Sequence, residues 1–257
     1  MNRIKDYEKV GFDIVRWIKD YFYMNSLESL VVGVSGGFDS AVVSTLCAQT
    51  GLPTYVVCLP LESTHANTRL SDIHSKKLEE EYDNVTRFQV ELSSPYGHFH
   101  HSINWWSDAQ GFDKKEFTSN ELANANTKTR LRMITLYQIA GAKKGIVVGT
   151  GNKVEDYGIG FYTKYGDGGV DIAPIADLYK TEVRELGKHL GVIPEIINAQ
   201  PTDGLWSDSR SDEDQIGASY EDLEEAMENG TGSAVEILEK FNTQNKHKME
   251  PIPTFKL

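Results

Sequence analysis

Only two cysteines occur in 257 residues, Cys47 and Cys58, and neither belongs to a CxxC pair. That is too few for a disulfide scaffold, and each lies in an apolar run, so both read as buried free thiols. No apolar stretch approaches the roughly 20 residues that cross a bilayer. The start, Met1-Asn2-Arg3-Ile4-Lys5-Asp6, opens a polar helix and has none of the apolar core of a signal peptide. Basic residues are also short, with 26 Lys and Arg against 38 Asp and Glu, a net charge of −12. An acidic chain gains nothing from long-range attraction to nucleic acid, which needs cations to displace counterions. Much of the excess lies in Asp212-Glu213-Asp214 and Glu221-Asp222-Leu223-Glu224-Glu225, readable as solvated faces. There is no internal repeat, low-complexity tract or interdomain linker. These absences describe a soluble, cytoplasmic chain without nucleic-acid or membrane partners, folded as one domain over residues 1–257.

What is present is a rhythm of apolar runs and helical stripes. Residues 3–23 carry Ile4, Tyr7, Ile14, Trp17, Ile18 and Tyr21 at helical spacing. Leu30-Val31-Val32 reads as a buried strand, followed by a helix from Asp39 to Gly51. Strands are expected at Thr54–Leu59, Val85–Leu92 and Gly145–Thr150, with helices over Asn67–Tyr82, Asn120–Ala140 and Leu178–Leu190. Ser94-Pro95 reads as a helix start, with Ser as N-cap. The stretches 108–119 and 200–217 read as long polar loops of the kind that serve as lids. Residues 151–172 are Gly-rich and read as irregular. Two short acidic helices are expected around 220–228 and 231–245, then an extended tail from Lys246 to Leu257. The alternation predicts an α/β fold, a doubly wound, Rossmann-like open parallel sheet with helices on both faces.

The most informative segment is Val31-Val32-Gly33-Val34-Ser35-Gly36-Gly37-Phe38-Asp39-Ser40, between the first strand and its helix. Gly36 and Gly37 allow a sharp turn that presents consecutive N–H groups, and Ser35 and the helix start complete a nest for phosphate. No Lys follows the last Gly, which excludes a Walker A loop. Asp39 would repel phosphate unless it holds a divalent cation bridging the phosphates. Ser-Gly-Gly-x-Asp-Ser after a strand resembles the loop of ATP pyrophosphatases, enzymes that cleave between the α and β phosphates.

In an open parallel sheet, ligands bind beyond the carboxyl ends of the strands. The loop after the fourth strand, Gly149-Thr150-Gly151-Asn152-Lys153-Val154-Glu155, therefore meets the first at one edge. Glu155 can give the cation a second carboxylate, since magnesium is content with one or two plus phosphate and water. Phe161-Tyr162-Thr163-Lys164-Tyr165-Gly166-Asp167-Gly168-Gly169-Val170-Asp171 offers aromatics for stacking and Lys164 for an anion. Lys180 stands at a helix start, unfavourably for the dipole, which implies an anionic partner.

With Asn126-Thr127-Lys128-Thr129-Arg130-Leu131-Arg132-Met133, Leu178-Tyr179-Lys180 and Pro201-Thr202 added in order, the chain resembles the ammonia-dependent NAD synthetase family from about residue 12 to the tail. The resemblance implies the N-type ATP pyrophosphatase fold and a homodimer. It implies that Gly33, Val34, Ser35, Gly36, Gly37, Phe38, Asp39 and Ser40 cradle ATP, with Thr150, Lys180 and Thr202 also touching it. Asp39 and Glu155 would hold Mg²⁺, and with Lys180 form the catalytic set. Arg130, Lys164, Asp171, His247 and Lys248 would bind the second nucleotide, nicotinic acid adenine dinucleotide (deamido-NAD). Arg130 and Arg132 lie two apart on one helix and face different ways, so at most one meets substrate. The stretch from Glu155 to Lys164 is one residue longer than the commoner family pattern, and Met249-Glu250-Pro251 replaces a more basic tail.

The reaction implied is amidation of deamido-NAD to NAD by free ammonia through an adenylated carboxylate, with release of pyrophosphate and AMP. A glutamine-hydrolysing domain finds no room in this length. Two other readings stand beside it: a transfer-RNA-modifying adenylating enzyme, disfavoured by the acidic balance, and a nucleotide-binding sensor without turnover, disfavoured by Asp39, Glu155 and Lys180.

Overall fold

The computed structural model describes residues 3–63, 65–113, 116–199 and 211–256. The chain begins with α1 (Tyr7–Met24), β1 (Ser29–Gly33), α2 (Phe38–Gln49), β2 (Thr54–Cys58), α3 (His65–Glu81) and β3 (Val85–Gln89). It continues through α4 (Ser93–Ala109), α5 (Glu121–Ala142) and β4 (Gly145–Val147) to a π-helix (Lys153–Ile159). It ends with α6 (Lys180–His189), α7 (Pro194–Ile197), α8 (Asp212–Ile216), α9 (Tyr220–Asn229) and α10 (Val235–Met249). Among the described residues, no helix is long and apolar enough to cross a membrane.

The strands form one sheet in the order β3-β2-β1-β4, and every pairing is parallel. Successive side chains of a strand point to opposite faces. Leu30, Val32, Val56, Ile146 and Val148 enter a core under α1, α2, α3 and α6, while Val31, Val57 and Val147 enter another under α4 and α5. Cover on both faces is why these strands read as unbroken apolar runs. A third cluster joins Val154 and Ile159 of the π-helix to Leu223 of α9 and Phe241 of α10. β1 lies at the switch point, since the chain moves outward to β2 and β3 and returns on its other side as β4. The crevice above β1 and β4 is where such a sheet receives ligands.

The ends of the elements follow local chemistry. Asp6 caps α1 by accepting from Lys9 N at 2.9 Å, and Asn120 caps α5 by accepting from Ala123 N at 2.9 Å. Gly51 and Gly191 follow α2 and α6 in left-handed conformations, as their positions predict. α4 begins at Ser93 rather than after Ser94. Three expectations fail. The stretch after β4 is not irregular, because residues 153–159 form a π-helix. The loop expected to reach 217 contains α8, fixed by a reciprocal cap between Ser211 and Asp214. The tail is not extended from Lys246, because α10 runs on to Met249 and stops where Glu250 precedes Pro251.

Candidate active site

Gly36 turns the chain after β1 with φ 88°, a conformation that favours glycine. Ser35 N and Ser35 Oγ both lie within hydrogen-bond distance of Ser40 Oγ, at 3.2 and 3.1 Å, and Ser40 Oγ donates to Gly37 O at 2.8 Å. These bonds hold the loop closed at the N-terminus of α2. Residues 33–40 all line a cavity of about 310 Å³, together with Thr150, Glu155 and Lys180. Two segments far apart in sequence thus share one crevice.

Lys180 Nζ donates to Asp39 Oδ2 at 2.5 Å and to Glu155 Oε1 at 2.8 Å. The anionic partner implied by its place at a helix start is therefore a pair of carboxylates. Tyr220 Oη donates to the same Glu155 oxygen at 2.6 Å, and Asn152 Oδ1 accepts from the backbone N–H of Val154 and Glu155. Burial pushes the Asp39 carboxyl up, with Glu155 adding to it and Lys180 opposing. Burial also pushes Glu155 up, but the Lys180 ammonium and the Tyr220 hydroxyl outweigh it and hold Glu155 below its usual range. Lys180 is lowered by burial and raised more strongly by its two acids, so it stays charged. Tyr220 is raised far above its usual range, first by burial and then by Glu155 and Asp212, so it remains a donor.

Asp156 and Asp167 line the same cavity. Burial raises the half-buried Asp156 carboxyl well above its usual range, whereas Asp167 is exposed and accepts from Thr163 N at 2.8 Å. Asp156 lies against Gly151, where a Cβ would collide with its carboxylate. Asp39 Oδ1 is buried without a hydrogen-bond partner. A hard, oxygen-ligated cation suits that atom and the neighbouring Glu155, so the donor set fits Mg²⁺. Among the described residues no three metal-ligating side chains converge, so phosphate and water would complete its shell.

The other expected residues form a separate strip. Arg130 donates to Lys164 O at 3.2 and 3.1 Å and lines an open groove with Met133, Ile134, Tyr137, Gln138 and Tyr165. Lys164 Nζ donates to His247 O at 2.5 Å. The His247 side chain is exposed, whereas Lys248 Nζ is committed to Gly160 O at 2.9 Å and Tyr162 O at 2.8 Å. Asp171 accepts from Val147 N at 2.7 Å and from Tyr137 Oη at 3.3 Å, at the edge of β4. Arg132 faces the main cavity instead, and its Nε donates to Leu59 O at 3.2 Å. The two arginines diverge, as their spacing predicts. Thr202 lies outside the described residues. Sequence reasoning missed Asp156 and Arg132, which line the cavity, and Tyr220, which holds Glu155. Only Arg132 had a signal, since it stands in a quoted motif.

Comparison with known proteins fits this geometry. A family profile described as NAD synthase matches residues 11–253. The NH(3)-dependent NAD(+) synthetase of Finegoldia magna is 34% identical over 253 residues, covering 97% of this chain and 97% of that protein. An NMN synthetase structure from Francisella tularensis superimposes with a TM-score of 0.84 at 29% identity, over 99% of this chain and 100% of that one. An NH3-dependent NAD synthetase structure from Campylobacter jejuni gives 0.75 at 24% identity, over 98% and 100%, a likeness of fold.

Proposed function

The chain belongs to the NAD synthase family, and from that premise we propose how its residues carry the family's reaction. The reaction is the ATP-dependent amidation of deamido-NAD with ammonia. The observation that supports our division of labour is the Lys180 ammonium held between Asp39 and Glu155 at the mouth of a glycine turn. The turn's N–H groups and the start of α2 receive the phosphates. Asp39 and Glu155 would hold Mg²⁺, which supplies charge neutralisation on the phosphates when bound. Lys180 keeps the two acids ionised and together, and Tyr220 fixes the Glu155 oxygen they share.

The chemistry proposed has two steps. The nicotinate carboxylate attacks the α-phosphorus, the bond to the β-phosphate oxygen breaks, and pyrophosphate leaves. Ammonia attacks the acyl carbon of the adenylate, AMP departs, and the new amide nitrogen loses a proton. No nucleophilic side chain is required. Positioning and exclusion of water are the protein's contribution.

Arg130, Lys164, Asp171, His247 and Lys248 form the strip to which we assign the dinucleotide. Arg130, Asp171 and His247 are exposed, while Lys248 would act by holding backbone carbonyls. The α5 face beside this strip exposes Leu122, Ile134 and Tyr137, apolar area that a second copy of the chain would cover. We assign a homodimer on that basis, one domain per chain, and a cytoplasmic setting consistent with two buried free thiols.

The decisive experiment incubates the purified chain with ATP, Mg²⁺, ammonium and deamido-NAD. NAD, AMP and pyrophosphate are expected in equal amounts. ADP and phosphate, or no NAD, would refute the reading. The likeness to an NMN synthetase favours one rival substrate, the mononucleotide acid, and a parallel reaction containing it decides between the two by relative kcat/KM.

A further inference from the structure

Arg184 has no role in the assignments above, and among the described residues it makes no hydrogen bond or ion pair. Its side chain nevertheless lines the nucleotide cavity. Lys180, Arg184 and Gly187 stand at i, i+4 and i+7 of α6, which puts them on one stripe. Lys180 reaches Asp39 in the first turn of α2. Gly187 lies under Phe38, where a Cβ would meet the ring at 2.7 Å. Both ends of the stripe are therefore pinned to the glycine turn and its helix. Arg184, between them, is directed at the same place, about 6 Å along the helix axis from Lys180.

The charges around it explain why such a residue is needed. The cavity lining includes the carboxylates of Asp39, Glu155, Asp156, Asp167 and Asp212. Lys180 is shared by two of them. Arg132 donates to the carbonyls of Leu59 and Leu61. A triphosphate entering this site meets acids and cations that are already engaged. Among the described lining residues, Arg184 is the cation without such a commitment, and its planar fork suits phosphate oxygens.

We infer that Arg184 binds the terminal phosphates of ATP and retains the pyrophosphate as it departs. The inference rests on the ATP chemistry proposed above. The α-phosphate has to face the carboxylate that attacks it. The turn and α2, against which α6 packs at Lys180 and Gly187, are left for the β and γ groups.

Arg184→Gln and Arg184→Lys, made in the full chain, test this with inorganic pyrophosphate and AMP as product inhibitors in the presence of Mg²⁺. Arg184→Gln is expected to raise the KM for ATP and the inhibition constant of pyrophosphate by about tenfold or more. The inhibition constant of AMP and the KM for deamido-NAD stay unchanged, and Arg184→Lys recovers part of the loss. Unchanged pyrophosphate inhibition, or equal weakening of pyrophosphate and AMP, overturns the inference. Calorimetry with pyrophosphate alone gives the same comparison without turnover. A wild-type chain that binds pyrophosphate more tightly than Arg184→Gln yet forms no NAD would refute the functional reading and leave this one standing.

Discussion

Replacing Lys180 by Met removes the centre of the ion triad and nearly keeps its volume. The Asp39 and Glu155 side chains are 15% and 16% exposed, and that of Lys180 is 7% exposed. With the ammonium present the three groups sum to −1, and without it two carboxylates share one buried space. Removing a partner from a buried ion pair costs about 3–5 kcal/mol, because the remaining charge is stranded. Asp39 limits that cost by taking up a proton, since burial already raises it. The expected loss is therefore near the lower end, about 3 kcal/mol at pH 7.5, and smaller at pH 5.5. Asp39→Asn in the same chain removes the stranded charge. The double variant should be more stable than the sum of the single losses by about 1–3 kcal/mol. Urea unfolding of the four proteins measures this. NAD formation by Lys180→Met is expected to fall roughly 10²–10³-fold, the scale of losing one preorganised electrostatic group. Mg²⁺ should stabilise Lys180→Met more than the parent, because both carboxylates are released to it. Strictly additive losses, with Mg²⁺ acting equally on both proteins, would refute the triad as a functional unit.

Three further outcomes are expected. His74 is 1% exposed, its Nε2 lies 2.9 Å from Ser44 Oγ, and burial, with Lys77 adding to it, lowers it to about 4. The unfolded chain binds this proton below pH 6.5 and the native chain does not. Its contribution is complete above pH 6.5 and is lost as pH falls toward 4, by about 3 kcal/mol. His74→Gln should flatten that part of the stability profile in denaturant titrations, and identical slopes would refute the assignment. Gly187→Ala places a methyl 2.7 Å from Phe38 and 2.9 Å from Val42, an overpacking worth about 1–3 kcal/mol. Phe38→Leu in the same chain should restore the melting temperature, and failure to do so would show that the strain lies elsewhere. Arg3 donates two bonds to the buried Glu182 carboxylate, at 2.9 and 2.7 Å, and Glu182 also accepts from Tyr179 N. Arg3→Ala should cost about 1.5–3 kcal/mol in urea unfolding. No loss would mean that the N-terminal segment does not secure α6.

The sheet was legible because burial on both faces leaves an apolar signature that tolerates no ambiguity of side. Strand length was less so. β3 ends at Gln89, opposite Cys58 at the end of β2, although alternation continues to Leu92 and the backbone N–H groups of Val90 and Leu92 still donate to Cys58 O and Pro60 O. β4 ends at Val147, and Val148, whose N–H still donates to Val31 O, also bridges to Ile172. The Asp39–Lys180–Glu155 set was legible through chemistry, since a carboxylate beside a phosphate nest and a Lys at a helix start each imply a missing partner. Tyr220 implied nothing of the kind. A tyrosine in an acidic helix has many solvated precedents, and only the third cluster, which packs α9 on the π-helix, brings its hydroxyl to Glu155.

The path from Glu155 to Lys164 shows where composition stops and conformation begins. A Gly-rich stretch reads as irregular from its residues alone. The chain instead forms a π-helix over Lys153–Ile159, with Glu155 on Lys180 and Lys164 reaching Arg130 and His247. A widened turn exposes carbonyls that an α-helix would satisfy internally, and buried carbonyls need partners. α10 provides them: Asn242, Asn245 and Lys248, on one helical stripe, donate to Gly158 O, Ile159 O, and Gly160 O with Tyr162 O. This explains why the tail stays helical through Lys248, against the reading from its composition. The π-helix and the helical tail are coupled, since the distant helix pins the turn that carries Glu155.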